Sequence, residues 1–472
     1  VSADSLDTML VITAIGASVV LALIFLVGMK RPRQRRRQVL APEASANSGV
    51  RWIIIFAWAA STLPSLIQNL TTTRRANAVV DVAASTGLST MAAYLTAALL
   101  IALCLWQLLT AKVATDTLGL LGVGLLLAPW MIAMLSSAES GSNIPFNALA
   151  LPAVAFALWR LNAKLQDLTA VAWLTGCTAA IALVMGLLAP TRGLLHGSSG
   201  YVSTADKAII GDTLLAGPFN HSNQLGVILA LGLPAILLLH RRSDRFWIFA
   251  VTVLALAWSA SRGSLLAVGV FLVACWWVTR FKNASPRRFW SFVVVVPSLA
   301  AVAYVPLVTD DLSAFSDRGQ IWAASMAAWA ESPSSGNGYA WYSEIAKVAN
   351  DLTAVAFNGH NLFVHALATG GVLLLVALVL LCWRLVSVSI AEAGVGNIFP
   401  LAYTVCFGVL AILEVPTRFR DVDPQSWVAV LPVVIIAMWK RVAPPESTRR
   451  GGAALLEENE HVEEAKSTEL EH

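Results

Sequence analysis

Apolar stretches long enough to cross a bilayer recur along the whole chain, and no other feature limits the fold so tightly. They lie at about 8–28, 51–67, 88–109, 117–136, 146–160, 168–189, 223–240, 246–259, 263–279, 289–308, 360–382, 398–414 and 426–439. About 20 apolar residues span the hydrocarbon core as a helix, and a helix satisfies its own backbone hydrogen bonds there. These stretches are too long and too uniformly apolar for the alternating strands of a membrane barrel. Composition agrees, with 57% hydrophobic and 13% charged residues against roughly 25% charged in a soluble domain. The predicted fold is all-α, a polytopic transmembrane bundle of about 12–13 helices with a large outer loop that contains short helices.

Loop charge sets the orientation. One set of alternate loops carries Lys30, Arg31 and the run to Arg37, then Arg160/Lys164, Arg241/Arg242/Arg245, Arg280/Lys282/Arg287/Arg288, Arg384 and Lys440/Arg441. The positive-inside rule makes this set cytoplasmic. The first span lacks a basic flank before it, so it reads as a retained helix rather than a signal peptide. Residues 1–50 then form an N-terminal membrane helix with a basic cytoplasmic loop, 51–442 the polytopic catalytic domain, and 443–472 a polar, acidic cytoplasmic tail. The tail reads as disordered, and its final Leu470-Glu471-His472 as an affinity-tag remnant. Two outer loops are long, at about 190–222 and 309–359. Within the second, Ile321, Trp322, Ser325, Met326 and Trp329 recur at helical spacing and predict an amphipathic helix lying on the membrane or capping the bundle.

The outer face holds the residues with chemical potential. His360-Asn361 opens a span, where Asn can cap the helix and His can serve as a base titrating near neutrality. Arg262, in Ser261-Arg262-Gly263, either snorkels to headgroups or binds an anion such as phosphate. Arg192 is a second outer-face arginine. Arg318 is a third, with Asp317 as an alternative ion-pair partner, and Arg418/Arg420 beside Asp421/Asp423 form a further cluster open to the same reading. Gly217-Pro218-Phe219-Asn220-His221-Ser222-Asn223 leads into another span. Its Asn and Ser can cap that helix, and amides also suit sugar hydroxyls.

Several classes lack support. There is no phosphate-binding Gly-rich loop, no zinc spacing among His and Cys, and no expected nucleic-acid partner or cofactor. Asp421-Val422-Asp423 is too short a signal for a metal site. Cys104, Cys177, Cys275, Cys382 and Cys406 all fall in apolar spans and read as small buried hydrophobes. A lipid-linked glycan flippase is a reading from another class, but no repeat is visible and the mid-span positions are nearly free of charge.

Three stretches together resemble the O-antigen ligase/polymerase superfamily of bacterial inner-membrane glycosyltransferases. They are Gly217–Asn223, Ser261-Arg262-Gly263, and Arg318-Gly319-Gln320-Ile321-Trp322 leading through Pro333, Gly336 and Gly338 to His360-Asn361, with Gly371 completing the spacing. The resemblance covers about residues 190–380. It implies transfer of O-antigen glycan from undecaprenyl pyrophosphate to a sugar hydroxyl of lipid A–core, completing lipopolysaccharide on the periplasmic side of the Gram-negative inner membrane. O-antigen polymerase and protein O-oligosaccharyltransferase are the alternatives within the superfamily.

The resemblance also implies roles. His360 acts on the acceptor hydroxyl, and Arg262 and Arg192 bind the pyrophosphate in an inverting, metal-independent transfer. Asn361, Arg318, Asn223, His221 and Asn220 are expected to contact substrate, with Asn361 or a loop carboxylate as the alternative group that orients His360. Many relatives carry an arginine shortly before the Gly-x-Phe stretch. This chain has Leu214 there, and Arg192 is expected to take that role.

Overall fold

The computed structural model describes residues 47–72, 86–111, 117–141, 144–196, 198–199, 202–342, 358–420 and 422–440. The expected first span at 8–28 and the tail lie outside them. The chain divides into the unit Val1–Met438, which holds every described helix, and the unit Trp439–His472, of which Trp439 and Lys440 are described.

The spans follow the hydropathy pattern closely. They are α1 (Ser48–Thr71), α2 (Gly87–Thr110), α3 (Thr117–Glu139), α4 (Ala150–Arg160) and α5 (Thr169–Leu188), the last two entered through single 3-10 turns. After the first long loop come α8 (Ser222–Gly232, running into a 3-10 segment to Leu238), α9 (Arg242–Ser259), α10 (Arg262–Thr279) and α11 (Ala284–Leu307). After the second come α13 (Leu362–Gly394), α14 (Phe399–Leu413) and α15 (Ser426–Met438). Among the described residues, seven helices are long and apolar enough to cross a membrane by themselves, and four are shorter apolar helices. The protein is therefore an all-α polytopic bundle. α14 and α15 are almost wholly buried, whereas α2 and α11 turn much of their apolar surface outward, as lipid-facing helices do.

The first long loop contains α6 (Pro190–Gly193), α7 (Thr204–Lys207) and four two-residue strands. β1 (Leu194–Leu195) pairs antiparallel with β4 (Leu214–Leu215), and β2 (Ser198–Ser199) with β3 (Val202–Ser203). The first ribbon pins the loop at both ends. The N–H groups of Ala216 and Gly217 both donate to Gly193 O.

The predicted amphipathic helix is α12 (Ala314–Glu331). Its regular part begins at Arg318, because Phe315, Ser316 and Asp317 have positive φ. It caps the bundle rather than lying free. Trp322 is buried with its indole N–H on Gly359 O, and Ile321 packs with Tyr342 and Ala368 of α13.

α13 departs from the expected span. Hydropathy predicts about 360–382, but the helix runs 33 residues and is broken at Gly371 (φ 61, ψ −160). The break frees backbone groups inside a membrane helix, where each must find a partner. The segment after α12 supplies them. Pro333 O accepts from Val372 N at 2.9 Å, Ser334 O from Leu373 N at 3.2 Å, and Asn337 N donates to Ala368 O at 2.8 Å. Ser136 of α3 donates to Ser335 O and Thr369 O, fastening the same junction from the other side.

This junction explains the glycine. A Cβ at Gly371 would press into Ser334 O, and the backbone conformation there is one that L side chains rarely adopt. We expect Gly371→Ala to destabilise the detergent-solubilised protein by about 1–3 kcal/mol, read as a lowered thermal-unfolding midpoint. Gly269→Ala, where a Cβ meets nothing within 4 Å, should leave the midpoint unchanged.

Candidate active site

One carboxylate gathers the polar residues at one end of the bundle. α14 stops at Leu413, and Glu414 leaves it in an extended conformation. Arg318 donates through Nη2 to Glu414 Oε1 at 2.8 Å and through Nη1 to Leu413 O. It thus satisfies a carbonyl at the helix end and the next side chain together, and a cation belongs at a helix C-terminus. Asn223 Nδ2 donates to the same Oε1 at 3.3 Å. His360 Nδ1 faces Oε2 at 3.7 Å, and the His360 and Glu414 side chains are 14% and 15% exposed. Burial alone would raise the Glu414 pKa. Arg318 and His360 outweigh it and hold the carboxyl down at about 2.

Asn361 fixes the position of His360. It caps α13, its Oδ1 accepting from Val364 N at 2.9 Å. Its Nδ2 donates to Val302 O of α11 and to Ile412 O of α14. Asn361 is fully buried, and its amide ties three helices together. His360 itself has φ 45 and donates its N–H to Asn358 Oδ1 at 2.7 Å. His365 turns away, buried and stacked on Tyr342 at 5.3 Å between ring centroids.

Two basic groups complete the cluster. Lys207, at the end of α7, donates to Asn223 Oδ1 at 2.8 Å, so Asn223 bridges Lys207 and Glu414. Burial first, then the charges of Arg318 and Arg262, lowers Lys207 to about 8, with Glu414 opposing. Arg262 opens α10 on the exposed side and donates to Asp206 O at 3.0 Å. The cap of α8 is neither Asn nor Ser. His221 supplies it, its Nδ1 accepting from Asn223 N at 3.0 Å. Burial, assisted by the Lys207 charge, lowers His221 to about 4, so it is neutral and carries its proton on Nε2 at neutral pH.

The other expected residues sit on an adjoining strip. Arg192 donates to Leu70 O at the end of α1. The β1–β4 ribbon lays the 192–195 segment across from 214–217. Leu214 is buried in that ribbon, and Gly193, next to Arg192 in α6, accepts from the N–H groups of Ala216 and Gly217. Asn220 accepts from Asn69 Nδ2, which also donates to Pro218 O, so it ties the loop to α1. The structure thus joins His360, Arg318, Asn223, His221 and Arg262 to Glu414 and Lys207, two residues that sequence reasoning missed. Their signals are faint. Glu414 is an acid ending an apolar span, and Lys207 a lysine in a loop otherwise poor in lysine. Asp421 lies outside the described residues, and Asp423 Oδ1 accepts from Gln425 N and Ser426 Oγ at the start of α15.

The depressed Glu414 carboxyl has a signed consequence. Its folded pKa lies below the usual value, so its stabilisation is present above about pH 4.5 and lost as pH falls toward about 2. We expect Glu414→Gln to lower the unfolding midpoint at pH 7, with the wild-type and variant midpoints converging as pH falls through that window.

No curated protein matches the chain. A family model described as O-antigen ligase matches residues 247–379. The match runs from α9 through the break in α13 and contains Arg262, Arg318, His360, Asn361 and Gly371. Residues 247–379 are an O-antigen ligase superfamily domain.

Proposed function

We propose that the protein is an O-antigen ligase that moves glycan from undecaprenyl pyrophosphate to a sugar hydroxyl of lipid A–core. The observation that carries this reading is the convergence of Lys207, Arg262 and Arg318 around the paired His360 and Glu414. The acceptor hydroxyl attacks the anomeric carbon, the carbon–oxygen bond to pyrophosphate breaks, and configuration inverts. Pyrophosphate is already a good leaving group, so the site needs to hold its charge and remove one proton. Arg262, Lys207 and Arg318 form a fixed cationic wall for the first task, with Arg192 extending it along the loop. His360 performs the second, accepting the proton at Nε2 while Nδ1 faces Glu414. The carboxylate orients the ring and stabilises the imidazolium, as base–orienter pairs do.

The distribution of charge supports the membrane part of this reading. Among the described residues, the basic loops belong to the ends of the spans opposite Glu414, and the positive-inside rule then favours a periplasmic site. Among the described residues the charged groups gather at the ends of the bundle instead of lining a path through it, which favours an enzyme over a flippase.

We expect His360→Ala to lower kcat by about 10²–10⁴ in a ligation assay with purified donor and acceptor, without loss of the folded state. Full retained activity would remove His360 from this role. EDTA should leave the rate unchanged, and its abolition would require a metal. The kcat/KM for donor should fall as pH rises through about 8, where Lys207 loses its charge. Lys207→Arg should extend the plateau to higher pH.

A further inference from the structure

A second cationic cluster lies on the other side of the same helix start. Beyond Glu414 the chain runs to Arg418, Phe419 and Arg420. Phe419 has φ 51 and is buried, its N–H on Thr417 Oγ1. That turn brings both arginines to one ring, Tyr339. Arg418 Nη1 donates to Tyr339 Oη at 2.7 Å, and the Arg420 guanidinium carbon lies 3.7 Å from the ring centroid. Arg418 and Tyr339 are partly exposed and Arg420 is buried.

Tyr339 is itself held against α13. Gly338 before it packs on Ser136 of α3 and on Ser140 just past its end, and the Tyr339 ring stands edge-on to His365 at 6.4 Å. His365 donates its N–H to Asn361 O, so it sits one helical turn past the α13 cap. Two groups of cations therefore flank the start of α13. Lys207, Arg262 and Arg318 gather on Glu414, and Arg418 and Arg420 gather on Tyr339.

A glycosyl transfer has two substrates, and the donor pyrophosphate is assigned to the Glu414 side. We propose that Tyr339, Arg418 and Arg420 form the acceptor subsite and that they bind a phosphate group on the acceptor oligosaccharide. Guanidinium forks match phosphate oxygens in pairs. The Tyr339 ring fixes both forks in direction, so the phosphate sets the register that brings the neighbouring hydroxyl to His360. The same chemistry could recognise an anionic lipid headgroup, and the test separates the two.

The inference rests on the ligase reading. Its test measures ligation by the purified full chain with two lipid-anchored acceptors of one sugar sequence, one bearing a phosphate monoester and one lacking it. Wild-type enzyme should show a lower KM for the phosphorylated acceptor. Arg418→Met should raise that KM on the order of tenfold, with the donor KM and the KM for the plain acceptor unchanged. Equal KM values for the two acceptors in the wild type, or a rise shared by both acceptors or by the donor, overturns the subsite. Should Arg418→Met fail to fold, Tyr339→Phe, which keeps the ring and loses the hydroxyl, should give a smaller rise confined to the phosphorylated acceptor. The assay is run in nanodiscs of phosphatidylcholine with and without phosphatidylglycerol. An effect of Arg418→Met that appears only with phosphatidylglycerol, and equally for both acceptors, assigns the cluster to headgroups and overturns the proposal. Wild-type enzyme that transfers glycan to neither acceptor defeats the ligase reading itself. Transfer to both without preference defeats the subsite alone.

Discussion

The site end of this bundle depends on where the Glu414 charge is held. A carboxylate at the end of a membrane helix faces two penalties, its own desolvation and the repulsion of the carbonyls around it. Arg318 relieves both by reaching Leu413 O and Glu414 Oε1 with one guanidinium. Asn223 and His360 then take up positions defined by the same carboxylate. Residues from α7, α8, α12, α13 and α14 come together on it, and a cationic patch becomes compatible with burial because one anion sits within it.

The scaffold around that charge is built from satisfied backbone. Asn361 ties α11, α13 and α14 at the level of His360. Roughly three turns further along, Gly371 breaks α13 and the Pro333–Asn337 segment fills the break with its own carbonyls and amide. The segment carrying Tyr339 is thereby fastened to the helix that His360 leads into. Such fastening gives a side chain such as His360 a fixed position without requiring it to pack in a core, because the neighbouring residues carry the constraint.

Much of the fold is legible in the sequence because hydropathy is a local signal. The expected spans from 51 to 439 match helices closely apart from the far end of α13. The helix α12 is legible as well, since the spacing of Ile321, Trp322, Ser325 and Trp329 repeats with its period. The site is legible in part. His360, Arg262 and Arg318 stand out as polar groups that outer-face topology does not explain. Glu414 does not, because its meaning lies in contacts with Arg318, 96 residues away, and Asn223, 191 residues away. Asn361 is legible as a cap, but its partners Val302 and Ile412 are not, because they lie 59 and 51 residues away. The full length of α13 is hidden because Gly371 resembles a helix end until the partners that bridge the break are in view.

The product of the reaction tests the central claim most directly. Purified protein would be given undecaprenyl-pyrophosphate-linked glycan, with and without lipid A–core, and the products separated by mass. We expect glycan joined to lipid A–core with release of undecaprenyl pyrophosphate, and no elongation of the donor when lipid A–core is absent. Longer lipid-linked glycan in place of that product, or intact donor in both mixtures, would contradict the claim.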